Sequence, residues 1–288
     1  MKMAYRLGLV LEGGAHRTVF SVGVMDALLD AGIHADYVIG ASAGITYGAS
    51  YLSGQKGRNR EMLRRFVRSP RYMGFHQLLN PFNGSFYNMK YVFDTIPNKL
   101  LPFDYEAYDA NPARKLAVLT ELATGDPAYV EVTSEDHSWP VLKATCALPI
   151  LFRTVKLDGV EYADGGIADS IPYEKAMADG CEKLIVILTQ KRSYRKGVEK
   201  MMGLAVNKYK RRCPGYTEKL LTRHTRYNAT IEAIAKHEAA GEIYVIAPED
   251  TLGVSRTEKD LDKLMTLYAQ GYSIAAQQMH SLQNYLQK

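Results

Sequence analysis

Two strand-to-helix passages follow one another at the start of the chain, and they leave few folds open. Residues 7–11 form a short continuous apolar run that ends at Gly13-Gly14. Residues 18–31 then carry Val19, Val22, Met25 and Leu29 at helical spacing, with Gly32 suited to a left-handed stop. The order repeats at once: residues 37–39 read as a second strand and residues 43–52 as a second helix. Strands joined through helices run parallel, and the helices cover the faces of the sheet. The expected fold is α/β, a three-layer α/β/α sandwich with a mainly parallel central sheet.

Further along, residues 55–71 are basic and helical in pattern. Residues 72–108 change character: Phe75, Phe82, Phe86, Tyr91 and Phe103 are interrupted by Pro81, Gly84, Pro97 and Pro102, as in an aromatic-rich insertion or lid. Strands are expected again at 116–119, 129–132 and 184–188, with a hairpin of 153–157 and 160–163 around Asp158-Gly159. A helix at 173–179 precedes the strand at 184–188. These elements define a main domain over residues 1–190. Residues 191–288 are expected to be a mainly helical region packed on it, carrying one strand at 243–247. Ser255 and Glu258 have capping-box spacing, and an amphipathic helix through Leu282 is expected behind them.

Composition removes several classes. The chain has 288 residues, 47% of them hydrophobic, and a formal charge of +5, too mild to indicate nucleic acid. Cys146, Cys181 and Cys213 are far apart, with no C-x-x-C spacing, so neither a disulfide framework nor a zinc site is expected. A reducing cytoplasm is the simplest setting. No run approaches the roughly 18–20 apolar residues of a spanning helix, and the run at 7–11, broken by Gly8 and stopped by Glu12, is too short for a signal peptide. No pattern calls for a metal or cofactor, and none sets the oligomeric state.

The chemistry concentrates in Gly40-Ala41-Ser42-Ala43-Gly44, where the second strand becomes a helix. A G-x-S-x-G turn of this kind is tight, so flanking side chains would strike neighbouring backbone, and it lifts the serine oxygen clear of the sheet. The helix behind it aims its first N–H groups at any oxyanion formed there. Glu12-Gly13-Gly14-Ala15-His16-Arg17 has the same placement after the first strand, and its backbone N–H groups can bind an anion. It lacks the later glycines of a dinucleotide loop. At Tyr162-Ala163-Asp164-Gly165-Gly166 another strand ends in an acidic residue and two glycines.

Together these stretches resemble the patatin-like phospholipases, bacterial branch. The likeness runs in the family's order from about residue 7 to 188 and includes Ala147-Leu148-Pro149-Ile150-Leu151-Phe152, Ile171-Pro172 and the segment 118–130. The resemblance implies a Ser–Asp dyad, with Ser42 as nucleophile and Asp164 as proton acceptor. It implies an oxyanion hole formed by Gly13, Gly14, Ala15 and His16. Arg17, Gly40, Gly44, Gly165 and Gly166 are supporting residues. The family usually has glycines where Ala15 and Thr18 stand. The substrate implied is a phospholipid, lysophospholipid or other acyl lipid, cleaved at a carboxylic ester.

Two rivals have recognisable signatures. A Ser-His-Asp esterase would use His224, His237 or His280, following the order serine, acid, histidine. A non-catalytic lipid-binding or regulatory protein would share the scaffold without the activity. The Lys- and Arg-rich segment 191–212, with Met201, Met202, Leu204 and Val206, reads first as a solvated helix face and second as a peripheral contact with anionic membrane.

Overall fold

The computed structural model describes residues 5–288, apart from the side chains of Lys200 and Met201; the expectation placed on Met201 therefore lies outside the described residues. The central strand, β1 (Tyr5–Leu11), has parallel partners on both edges, and its side chains alternate between two cores. Leu7, Leu9 and Leu11 face one core and Val10 the other. Around it the chain builds α1 (Val19–Asp30), β2 (Tyr37–Ala41), α2 (Ala43–Leu52), α3 (Arg58–Phe66), α4 (Phe75–Leu79) and α5 (Tyr105–Ala110). Next come β3 (Arg114–Glu121), β4 (Pro127–Glu131), α6 (Pro140–Thr145), β5 (Val155–Leu157), β6 (Val160–Asp164), α7 (Tyr173–Asp179) and β7 (Cys181–Ile187). The chain closes with α8 (Lys200–Tyr209), α9 (Pro214–Ala239), β8 (Tyr244–Ile246), α10 (Leu261–Gln277) and α11 (Met279–Gln287).

The sheet order is β5-β6-β3-β2-β1-β7-β8, with β4 on the other edge of β3. The β3-β2-β1-β7-β8 stretch is parallel, and β4, β5 and β6 join antiparallel. One apolar core lies between the sheet and α1, α2, α3 and α10; a second lies under α7 and α9. This is the expected three-layer α/β/α arrangement. Residues beyond 190 also enter the sheet, because β8 pairs with β7, while α10 packs along α1.

One detail of register positions the chemistry. β2 and β6 share a single edge of β3: Ala41 lies opposite Val118 and Asp164 opposite Leu119. β2 runs parallel to β3 and β6 antiparallel, so the two strands point at each other and end in adjacent register. Ser42 and Asp164 are the residues where they meet. Past that point the chain crosses over β3 so closely that a Cβ at Gly165 would run into the Val118 carbonyl.

Some local expectations change. The helix expected at 55–71 is confined to Arg58–Phe66, after a left-handed Gly57, because Pro70 excludes its C-terminal continuation. Ser255 and Glu258 do not cap a helix. Asp260 does, its carboxylate accepting the N–H groups of Asp262 and Lys263, while Glu258 folds back onto Lys259 and Asp260. The long amphipathic helix divides at Gln278 into α10 and α11. The segment 191–212 contains α8 only at its end, and α9 behind it was not foreseen.

Candidate active site

At the end of β2 the backbone turns abruptly, and Ser42 adopts φ +51° before α2 begins. A side chain tolerates that conformation only where the surroundings enforce it. Here a Cβ on Gly44 would stand 2.6 Å from the Leu11 carbonyl oxygen, and one on Gly40 2.8 Å from it. The Ser42 N–H donates to Thr145 Oγ1 (2.8 Å), whose hydroxyl donates to the Val118 carbonyl (2.6 Å). Thr46 Oγ1 donates to the Ser42 carbonyl at 3.0 Å. The serine is thus fixed to β3 as well as to its own helix.

Asp164 is 2% exposed. Its Oδ1 accepts the Gly166 N–H at 2.8 Å, and its backbone is pinned by Ala147 and Thr120. Oδ2 is buried and has no aligned hydrogen-bond partner. Burial raises the carboxyl above its ordinary pKa, opposed by the adjacent Ser42 hydroxyl, Arg223, the Gly166 N–H and Arg256. The hydroxyl is close enough to favour the carboxylate without being aligned on Oδ2. A raised carboxylate next to a serine oxygen is the arrangement that lets a carboxylate take a proton.

The glycine loop is drawn against this pair. The Glu12 carboxylate is buried and receives the Thr189 N–H (2.6 Å) and the Tyr227 hydroxyl (2.8 Å). Gly13 then passes so near the elbow that a Cβ would lie 2.7 Å from the Ala41 carbonyl oxygen and 3.1 Å from the Ser42 Cβ. Among the described residues no acceptor takes the N–H of Gly13, Gly14 or Ala15. Ala15 has φ +50°, the conformation that a glycine adopts without cost.

His16 stands apart from these donors. Its N–H is directed to the Arg256 carbonyl (3.4 Å), its Nδ1 lies 2.6 Å from the Glu258 carbonyl, and its Nε2 lies 3.2 Å from the Tyr87 hydroxyl. The carbonyl partner requires the proton on Nδ1. Burial lowers this imidazole to about pKa 4. The resemblance counts His16 in the oxyanion hole; here its N–H and ring are committed to Arg256, Glu258 and Tyr87, and it locks the glycine loop onto residues 256–258.

Two recesses open from Ser42. The larger, about 140 Å³, is apolar; α2 and α6 supply Ala43 and Leu142, and the 72–108 segment supplies Tyr72, Met89, Val92 and Ile96. The smaller, about 30 Å³, is polar and runs past Asp164 to Arg17, Lys196, Arg223 and Arg256. Arg17 Nε is buried there without a partner. Arg223 Nε donates to the Gly166 carbonyl (2.7 Å), and Arg226 donates to the carbonyls of Ile167 and Ala168, so α9 holds the loop behind Asp164.

The three histidines of the triad rival lie elsewhere. His224 contacts Thr225, His237 pairs with Glu242, and His280 contacts Asn284; none lines a recess that holds Ser42. Sequence reasoning also missed Lys196, Glu199, Arg223 and Arg256. Their segments look like solvated surface, and the available signal was only a density of cations flanking Glu199.

Residues 9–177 match the family described as patatin-like phospholipase, and residues 213–287 match a domain of unknown function, DUF6363. The protein YjjU of Escherichia coli is 28% identical over 190 residues, covering 64% of this chain and 52% of YjjU. Lysophospholipase NTE1 of Yarrowia lipolytica is 22% identical over 189 residues, covering 63% of this chain and 12% of that protein. The chain therefore spans about half the length of the first relative and a small part of the second. The crystal structure of VipD from Legionella pneumophila aligns with a TM-score of 0.43 and 14% identity, over 96% of this chain and 66% of VipD.

Proposed function

The chain belongs to the patatin-like phospholipase family, matched over more than half its length, and on that premise we propose a serine acyl hydrolase acting on lipid esters through Ser42 and Asp164. Membership supports lipid acyl hydrolysis as the class of activity. The assignment of the dyad rests on one observation: β2 and β6 end head to head on β3, which seats the Ser42 hydroxyl beside a buried, raised carboxyl.

In this reading the Ser42 oxygen attacks the ester carbonyl while its proton passes to Asp164. The negative charge on the former carbonyl oxygen is received by the free N–H groups of Gly13, Gly14 and Ala15. Loss of one such donor typically costs about 2.7–4 kcal/mol. Collapse of the tetrahedral species expels the alcohol, which takes the proton from Asp164. Water then attacks the acyl-enzyme with Asp164 as base, and Ser42 is restored. The acyl chain is assigned to the apolar recess, as most of its wall is hydrocarbon.

The substrate class is a phospholipid, lysophospholipid or related acyl ester. We place the catalytic boundary near residue 190, with 72–108 as a lid over the acyl recess. Phe75, Leu79 and Phe82 on that segment are 76%, 85% and 98% exposed, and we assign them to peripheral contact with a lipid surface. Among the described residues no helix is long and apolar enough to cross a membrane. The three free thiols fit the reducing cytoplasm in which we place the protein.

The decisive experiment combines a fluorophosphonate probe with hydrolysis of a lipid panel by wild type, Ser42→Ala and Asp164→Ala. Label on Ser42 and lipid turnover in wild type alone are expected. Equal turnover by all three proteins, or no label on Ser42 where a known serine hydrolase is labelled, refutes the assignment and favours the non-catalytic lipid binder.

A further inference from the structure

The polar recess beside Ser42 holds the glycine-loop N–H groups and Asp164, and beyond them a set of cations that the hydrolytic steps do not use. Four cations line it, Arg17, Lys196, Arg223 and Arg256, against the carboxylates of Glu12 and Asp164. Glu199, just behind, binds Arg256 through two contacts (2.8 and 2.7 Å), Arg223 at 3.1 Å and Lys196 at 3.6 Å. With Glu199 included, four basic side chains face three carboxylates.

Burying cations without matching anions is costly, and a perturbed cluster of this kind in a cleft marks a candidate ligand site. Lys196 is 7% exposed, its ammonium 4.4 Å from the centre of the Tyr227 ring. Burial first, and then Arg223 and Arg256, push it down to about pKa 7. Burial alone would raise Glu199, but the hydrogen bonds from Arg256 and the charges of Arg256, Arg223 and Lys196 hold it down to about 2. Glu199 is therefore a fixed anion that arranges the cations, while Arg17 keeps its buried Nε unpaired. The recess has room for the equivalent of about two waters, the space of one tetrahedral oxyanion.

We propose that this recess is an anion subsite for a phosphate group carried on the alcohol part of the substrate ester, built by residues 196–256 rather than by the glycine-loop domain alone. Ser42 stands where the apolar and cationic recesses join, so an acyl ester with a phosphate on its alcohol spans both, with its carbonyl at the nucleophile. The region matching the domain of unknown function supplies Arg223 and Arg256, which gives that region a role in reading the substrate. This inference rests on the acyl hydrolase reading.

The test compares two esters with the same acyl chain, a monoacylglycerol and the corresponding monoacylglycerol phosphate, using full-length wild type and Lys196→Met. Wild type is expected to favour the phosphate ester in kcat/KM by about tenfold or more, the scale of a charge-assisted contact. In Lys196→Met that ratio is expected to fall about tenfold, whereas a merely structural role would lower both rates and leave the ratio unchanged. Inorganic phosphate should inhibit wild-type hydrolysis of the neutral ester competitively, and less so in the variant. Competition without a substrate preference supports the subsite with free phosphate as its occupant. A ratio near one in wild type, with no effect of phosphate, overturns it. Failure of the hydrolase reading is separable: neither ester is turned over, yet inorganic phosphate still raises the Tm of wild type more than that of Lys196→Met if the subsite exists.

Discussion

The two recesses that meet at Ser42 are built on opposite principles. The apolar one is walled by side chains whose burial is its own reward, and nearly any well-packed set of aromatic and aliphatic residues would form it. The polar one is held by individual bonds: Glu12 to Thr189 and Tyr227, Arg223 to Gly166, Glu199 to Arg256. Each of those groups is costly if left alone. The apolar wall can therefore drift in sequence and keep its recess, whereas the polar wall loses its geometry when a single partner is removed.

The largest effect is expected from Asp164→Asn, which retains the shape of the polar wall and removes the base proposed for it. Turnover is expected to drop by about 10²–10⁴-fold. Stability should move the other way. A carboxyl raised by burial stabilises the fold below its ordinary pKa, and that contribution is lost as pH rises through the raised value. At neutral pH the native state carries the cost of the ionised group, so the amide variant should unfold at a higher temperature, by the equivalent of about 1 kcal/mol. In wild type, kcat/KM should decline as pH falls through the same raised value. A variant less stable than wild type at neutral pH, or a rate unaffected by acid, contradicts this account of Asp164.

Val92→Phe addresses the apolar wall. The partly buried Val92 borders a cavity of about 140 Å³, and a phenyl group there shortens the space for a chain. The preference between long and short acyl esters should shift toward the short ones by about tenfold, since each excluded methylene is worth about 0.8 kcal/mol. An unchanged chain-length profile would remove the acyl chain from this recess.

The smallest effect is expected at the seam between the two walls. Ala15 is held at φ +50° within the glycine loop. Ala15→Gly should raise stability by roughly 1 kcal/mol, because the left-handed conformation penalises a Cβ by about 1–2 kcal/mol and the flexibility gained in the unfolded chain offsets part of that. Calorimetric unfolding of the two proteins reads it directly. A loss of stability would mean that the Ala15 methyl packs productively enough to outweigh its backbone strain.

Legibility followed the range of the forces. The strand-helix alternation, the hairpin at Asp158-Gly159 and the helices Ala43–Leu52 and Tyr173–Asp179 could be read in the chain because period and turn chemistry are local. Ser255 misled as a cap because its spacing is common, and only tertiary packing decided that Asp260 begins the helix. His16 was read by its neighbours in sequence, but its partners Glu258 and Tyr87 arrive from distant segments. Lys196 and Arg223 had the composition of surface, and α9 turned them inward.

By itself, the sequence determined the elbow and the glycine loop. Gly13, Gly40 and Gly44 stand where backbone approaches backbone, and that steric demand is written in residue size. Tertiary structure decided which carboxyl faces Ser42 and which cations surround it. Those choices depend on β2 and β6 ending at adjacent positions of β3, and on one long helix delivering Arg223 to Gly166. No spacing along the chain encodes a meeting of that kind. Strand register and the burial of charge establish it once the layers have closed.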